Sequence, residues 1–170
     1  MGLAPVRLFV LMGITGSGKS SYGAILADRK KATYIEGDDF HPPANIANMS
    51  AGMPLSDDDR WTWLKVVAAQ MTIPTGVVFV GCSALRKCYR EYLTNTAGMP
   101  VHFIYLDADR PMIVKRMTAR DNHFMPISLI DSQFDVLEVP DDKESASHID
   151  ISGSKDAVIT RILAAIDPLI

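Results

Sequence analysis

Short, strongly apolar runs alternate along the chain with longer stretches whose apolar positions recur at helical spacing. Five of the runs read as strands, at residues 6–12, 32–36, 76–81, 101–106 and 148–152. Most are continuously hydrophobic rather than alternating, which is the pattern of strands covered on both faces of a parallel sheet. The intervals read as helices over residues 19–28, 57–71, 85–94, 111–120, 128–137 and 155–166. Several open on a capping or first-turn signal, as at Ser56-Asp57 and Arg110-Pro111. This alternation predicts an α/β fold with three layers, a parallel sheet between helices. Two segments break the rhythm: residues 37–56 and 121–127 are rich in Gly, Pro, Asn, His and Met and read as functional loops.

Length and composition narrow the class without naming a chemistry. A chain of 170 residues fits a single domain over 1–170, and 48% hydrophobic with 22% charged residues is the balance of a globular protein. A formal net charge of -3 argues against bulk attraction to nucleic acid or an anionic membrane, so any polyanionic ligand must be held by one local cluster of donors. Cys82 and Cys88 form no zinc-type spacing and are expected to be reduced thiols. The apolar start of the chain runs directly into a glycine-rich loop and is not read as a signal peptide. No apolar run approaches the roughly 18 residues of a membrane span. The expected location is the cytoplasm.

The glycine-rich loop is Gly13-Ile14-Thr15-Gly16-Ser17-Gly18-Lys19-Ser20, which fits GxxxxGK(S/T) and lies between a strand and a helix. Gly13, Gly16 and Gly18 let the backbone curl so that N–H groups from Thr15 through Ser21 point at phosphate oxygens, aided by the helix N-terminus. Lys19 is placed to reach the β- and γ-phosphates, and Ser20 offers a hydroxyl to Mg²⁺. The alternative is a glycine-rich turn without a ligand. The motif alone does not separate a GTPase, a motor and a kinase. The absence of an NKxD-type guanine motif and the small size favour a kinase.

Acidic groups follow the second strand at Glu36-Gly37-Asp38-Asp39, at the sheet edge where open α/β sheets bind ligands. Asp38 is the candidate to orient an acceptor hydroxyl, and Glu36 to hold water on the metal ion, since alternation puts 36 and 38 on one side. A solvated turn is the competing reading. Arg60, beside Asp57-Asp58-Asp59, is either a clamp for an acceptor carboxylate or a surface ion pair. Cys82 and Ser83 end the third strand with small residues that let a ligand approach, and Arg86 and Arg90 follow on the next helix; Cys82 is not needed as a nucleophile. Arg116 and Arg120 lie four apart just before the loop carrying His123, the layout of a short kinase lid over about 121–127. Arg120 is the candidate phosphate ligand and Arg116 the candidate to stack on adenine. His41 and His123 are candidates to bind acceptor hydroxyls, whereas His102 and His148 read as structural.

The segments GITGSGKS, EGDDFHPPANIANMSAGMPLSDDDRWTWL, CSALRKCYREYL, HFMP and SQFDVLEVP together resemble the gluconokinases, within the shikimate-kinase-like and nucleoside-monophosphate-kinase-like P-loop group. The resemblance covers nearly the whole chain. It implies ATP- and Mg²⁺-dependent phosphorylation of the 6-hydroxyl of D-gluconate, giving 6-phosphogluconate and ADP for carbohydrate metabolism. It also implies a five-stranded parallel sheet of order 2-3-1-4-5 and often a homodimer. By position, Gly16, Gly18, Lys19 and Ser20 match the nucleotide loop, and Asp38, His41 and Arg60 match the acceptor side. Gln133 lies where the shikimate kinases place a substrate arginine, which implies a different acceptor. Glu36 departs from the family, which often has Asp there. The rivals are a kinase for shikimate or a nucleoside monophosphate, and a non-catalytic nucleotide-binding module, against which Asp38, Arg60 and Arg120 argue.

Overall fold

A computed structural model of the protein describes residues 5–119 and 126–170. Its centre is a five-stranded sheet built from β1 (Leu8–Met12), β2 (Thr33–Glu36), β3 (Val78–Gly81), β4 (Val101–Asp107) and β5 (Ala146–Asp150). Every pairing is parallel and the order is β2-β3-β1-β4-β5. This is the order that the resemblance implies. β1 is buried at every position, as its unbroken apolar sequence requires of a central strand.

Alternate side chains of the strands supply two cores. On one face Phe9, Leu11, Phe79 and Ile104 pack with Tyr22 and Leu26 of α1 (Lys19–Lys30) and Ile159 and Ile162 of α7 (Lys155–Ile166). On the other, Leu8, Val10, Val80 and Phe103 pack with Trp63 and Val67 of α3 (Asp57–Met71) and Tyr89 and Leu93 of α4 (Lys87–Ala97). The period-two alternation of the strands divides neighbouring residues between the layers. Each fully buried side chain of this size contributes about 1.5–3 kcal/mol. Three further helices complete the chain: α2 (Pro43–Ser50), α5 (Arg110–Thr118) and α6 (Ser128–Val136). No helix among the described residues is long and apolar enough to cross a membrane.

Besides end shifts of one to three residues, three differences from the periodicity have a local cause. Residues 37–56, expected to be a loop, contain a single 3-10 turn (Gly37–Phe40) and α2. α2 has only eight residues and carries two prolines at its entry, so it has too few turns to show a period, yet Pro43 at its first position fits helical φ. The last strand begins two residues earlier than 148, because its pairing with β4 rather than its apolar content sets its limits. Polar residues occupy that edge: His102 lies 2.9 Å from Ser145 Oγ and 2.8 Å from Ser147 Oγ, and His148 is 2.9 Å from the Pro140 carbonyl. Both histidines are therefore satisfied structural residues, as expected. The helix expected from 85 begins at Lys87, since Ser83 to Leu85 form a strained connection in which Ala84 has φ 43°.

Candidate active site

The carboxyl ends of β1, β2 and β3 gather the phosphate loop, the 3-10 turn and residues 82–85 around one cleft of about 300 Å³. Such an edge is where α/β sheets place their ligands. The loop curls at its glycines, but two N–H groups expected to face phosphate are taken by protein acceptors: Thr15 N–H by Gln133 Oε1 at 2.7 Å and Ser17 N–H by the Ile14 carbonyl at 3.1 Å. Gly18, at φ 103°, caps α1, and a Cβ there would come within 2.5 Å of the Tyr22 ring. α1 receives no side-chain cap and has no acidic residue in its first turn. Its initial N–H groups, including those of Ser20 and Ser21, are thus presented to an anion rather than consumed by the protein. Lys19 Nζ donates to the carbonyls of Gly13 and Ile14, each at 3.1 Å, and so lies over the loop at the floor of the cleft. The Ser17 side chain is fully buried and its N–H donates to Ile14 O at 3.1 Å, so this residue shapes the loop from inside.

Ser20 and Tyr34 both donate hydroxyl hydrogens to Glu36 Oε2, the latter at 2.8 Å. Burial and then the neighbouring Glu36 carboxylate push the Tyr34 phenol well above its ordinary range, so it remains a donor. A hydroxyl and a carboxylate in contact at the loop suit Mg²⁺, a hard cation held by few protein oxygens plus phosphates and water. No group of three or more His, Cys, Asp or Glu among the described residues forms a metal cage.

Asp38 leaves the strand geometry, because the chain enters its 3-10 turn at Gly37. The alternation expected to align residues 36 and 38 therefore does not operate. The turn still brings Asp38 into the cleft with Lys19, Asp39, His41 and Arg60. Gly37 is required where the turn starts: a Cβ would stand 2.3 Å from the Gly81 carbonyl. Partial enclosure raises the Asp38 carboxyl, but the His41 side chain, then Lys19, outweigh it and hold the group below its usual range. Asp38 is thus ready as an anionic acceptor of a hydroxyl hydrogen.

Arg60 and Tyr89 bring basic and aromatic groups to the same cleft. Arg60 Nη1 lies 3.3 Å from Tyr89 Oη and 3.7 Å from Asp57 Oδ1, so Arg60 both lines the cleft and meets its own aspartate. Tyr89 in turn donates to Asp57. An apolar patch of Met49, Leu55 and Leu129 closes the side toward α6. From α6, Gln133 Oε1 accepts the Thr15 N–H at 2.7 Å while lining the same cleft, linking the nucleotide loop to the acceptor wall. Ser83 lines the cleft, and its carbonyl accepts from Gly13 N at 3.2 Å.

Three expected ligands take other positions. Cys82 is wholly buried in the core because its N–H continues the strand pairing to Leu11 O at 3.1 Å; burial pushes its thiol up to about 12. It does not face an acceptor. Arg86 turns from the cleft to Asp57 Oδ2 at 3.0 Å. Arg116 spends edge donors on the carbonyls of Ser17 at 3.1 Å and Ile151 at 3.2 Å, bracing the loop against the chain after β5. Arg120 and His123 lie outside the described residues, with most of the expected lid.

Asn45, Tyr89 and the pairing of Arg90 with Glu144 were not legible in the sequence, although Arg90 itself was read beside Arg86 on the helix after the third strand. Arg90 bonds bidentately to Glu144 at 2.6 and 2.9 Å and donates to the carbonyls of Ala84 and Leu85 at 3.0 and 3.3 Å, holding the strained connection beside Ser83. A partner 54 positions away leaves no local signal. Tyr89 at least shares the stretch CSALRKCYREYL with Arg86.

A family model described as shikimate kinase matches residues 15–166. The chain is 44% identical over 149 residues to the thermosensitive gluconokinase of Escherichia coli (strain K12), covering 85% of this chain and 79% of that relative. It is 40% identical over 169 residues to a gluconokinase of Gluconobacter oxydans (strain 621H), with 96% and 92% covered. The crystal structure of a gluconokinase from Sinorhizobium meliloti 1021 superposes with a TM-score of 0.87 at 38% identity, over 95% of this chain and 92% of that one. A shikimate kinase from Aquifex aeolicus shares the fold, with a TM-score of 0.62 at 14% identity over 94% and 96% of the two chains. The phosphate loop, the anionic turn facing it and these similarities converge: the chain is a kinase that belongs to the gluconokinases, within the shikimate kinase family of P-loop enzymes.

Proposed function

We propose that the protein transfers the γ-phosphoryl group of ATP to the 6-hydroxyl of D-gluconate. The observation that carries this is the cleft itself, in which Asp38 and Lys19 share one end and Arg60 with Tyr89 forms a wall. An extended polyhydroxylated carboxylate matches that polarity: a hydroxyl at the anionic end and a carboxylate toward the guanidinium. Asp38 accepts the hydrogen bond of the attacking hydroxyl and aims its oxygen at the γ-phosphorus. The new O–P bond forms as the bond from phosphorus to the β,γ-bridging oxygen breaks, ADP leaves, and the hydroxyl proton passes to Asp38 or solvent. Lys19 and the α1 N-terminus meet the charge on the transferred group. Ser20, with Glu36 acting through water, would hold Mg²⁺, which supplies neutralisation of the phosphate charge. Arg120 and His123 complete the site from the lid in this reading, and Ser83 contacts an acceptor hydroxyl, while His41, expected to bind one directly, acts on the acceptor through Asp38.

The test is an acceptor screen. ATP consumption is expected to rise with gluconate and to stay at background with shikimate or nucleoside monophosphates; the opposite pattern overturns the assignment. A site that bonds several hydroxyls rejects acceptors lacking them by large factors. The resemblance to the gluconokinases also leads us to expect a single-domain cytoplasmic homodimer, which sedimentation and cell fractionation would read.

A further inference from the structure

We propose that Asn45 is a positioning residue for the acceptor: it fixes the tautomer of His41 so that the ring offers an N–H, not a lone pair, to Asp38. The proposal rests on the reading of Asp38 as the group that orients the acceptor hydroxyl.

Asn45 is 3% exposed, and its Nδ2 lies 3.2 Å from the Asp59 carbonyl and 3.3 Å from His41 Nδ1. A carbonyl only accepts, so the amide must turn its NH₂ end toward Asp59. The same nitrogen then points its second hydrogen at His41 Nδ1. A ring nitrogen that accepts carries no hydrogen, and the neutral imidazole therefore has its hydrogen on Nε2. His41 Nε2 faces Asp38 Oδ1 at 3.6 Å.

The surroundings leave the ring little freedom to escape this arrangement. It stacks on Trp63 with centroids 4.1 Å apart and planes 17° from parallel, and Trp63 Nε1 donates to the Gly37 carbonyl at 2.7 Å. The His41 N–H donates to the Asp38 carbonyl at 3.2 Å. The Asp59 carbonyl belongs to the first turn of α3, which Ser56 and Asp59 fix by a reciprocal capping box. Asn45 thus ties the start of α3 to a ring whose Nε2 faces one oxygen of Asp38 at 3.6 Å, leaving the other for the acceptor. In the alternative tautomer two lone pairs would face each other across the gap to Asp38, and two N–H groups would meet at Asn45.

The experiment uses protein labelled with ¹⁵N-histidine and long-range ¹H–¹⁵N correlation at about pH 8, above the usual imidazole range. His41 is assigned from the signals lost in His41→Gln. The wild type is expected to show the Nε2–H pattern. Asn45→Ala should lose that pattern and lower kcat with gluconate about 10- to 100-fold, while KM for ATP stays within about twofold. Asn45→Asp, which accepts where the amide donates, should shift the ring toward Nδ1–H. An Nδ1–H pattern in the wild type overturns the proposal. So does Asn45→Ala that keeps the Nε2–H pattern or the wild-type kcat. The wild-type spectrum decides the tautomer even if the variants fold poorly. Absence of gluconate turnover in the wild type would instead overturn the proposed acceptor.

Discussion

In the proposed reaction Asp38 orients the acceptor hydroxyl, and its position depends on a turn rather than on a strand. Its carboxyl is held low by His41 and Lys19 against the effect of enclosure, so at neutral pH it accepts a hydrogen bond without first losing a proton. Asp38→Asn removes that anion while preserving shape. The expected result is a fall in kcat of about 100-fold or more with ATP affinity retained, measured by steady-state kinetics and nucleotide titration. Unchanged turnover would remove the role. On the nucleotide side, Gly18→Ala would set a Cβ into the Tyr22 ring at φ 103°. Loss of ATP binding is expected in calorimetry, together with destabilisation of about 1–3 kcal/mol in urea unfolding.

The connection from β3 to α4 shows how an element can be shaped by distant charges. Ala84 occupies the left-handed region at φ 43°, and Arg90, 1% exposed, holds the carbonyls of Ala84 and Leu85 while paired to Glu144. Removing one partner of such a pair leaves a buried uncompensated charge. Glu144→Ala is therefore expected to lower stability by about 3 kcal/mol near neutral pH, measured by urea unfolding. The Arg90 hydrogen bond chiefly depresses the folded Glu144 carboxyl. Its contribution is then full above the unfolded value, near 4.3, and is lost as pH falls through the lower folded value. The difference between wild type and variant should shrink in that acid window. The signals read at Ser56-Asp57 and Arg110-Pro111 fall where α3 and α5 begin; in the structure Ser56, Asp109 and Ser154 cap α3, α5 and α7 through the side chain. α2 was not legible, because eight residues carry too few repeats and its packing is set by contacts from α3 and α6.

Across the molecule, α6 joins the two halves of the site. Leu129 packs with Met49 and Leu55 on the acceptor side, and one turn later Gln133 accepts the Thr15 N–H of the nucleotide loop. Binding on one side should therefore be felt on the other. In the wild type, a nonreactive ATP analogue is expected to improve gluconate affinity about fivefold or more in calorimetry, and Gln133→Leu to reduce that factor toward one. Equal coupling in both proteins would show that this bond transmits nothing.

The phosphate loop was legible in the sequence, because it is a local object whose glycines, Lys19 and Ser20 are neighbours, whereas tertiary structure decided that Arg116 braces the loop and that Gln133 takes the Thr15 N–H. The strands and most helices were equally local, being written in apolar periodicity and caps. The acceptor half was legible as residue types from Glu36 to Arg60 but not as a geometry. Tertiary structure decided that Asp38 reaches the cleft through a 3-10 turn, that Arg86 and Cys82 turn away, and that Asn45, Tyr89 and Glu144 support the site. The physical reason is range: hydrogen bonds and ion pairs act over a few ångströms in space, and only the fold brings Asn45 to Asp59, or Arg90 to Glu144, within that distance.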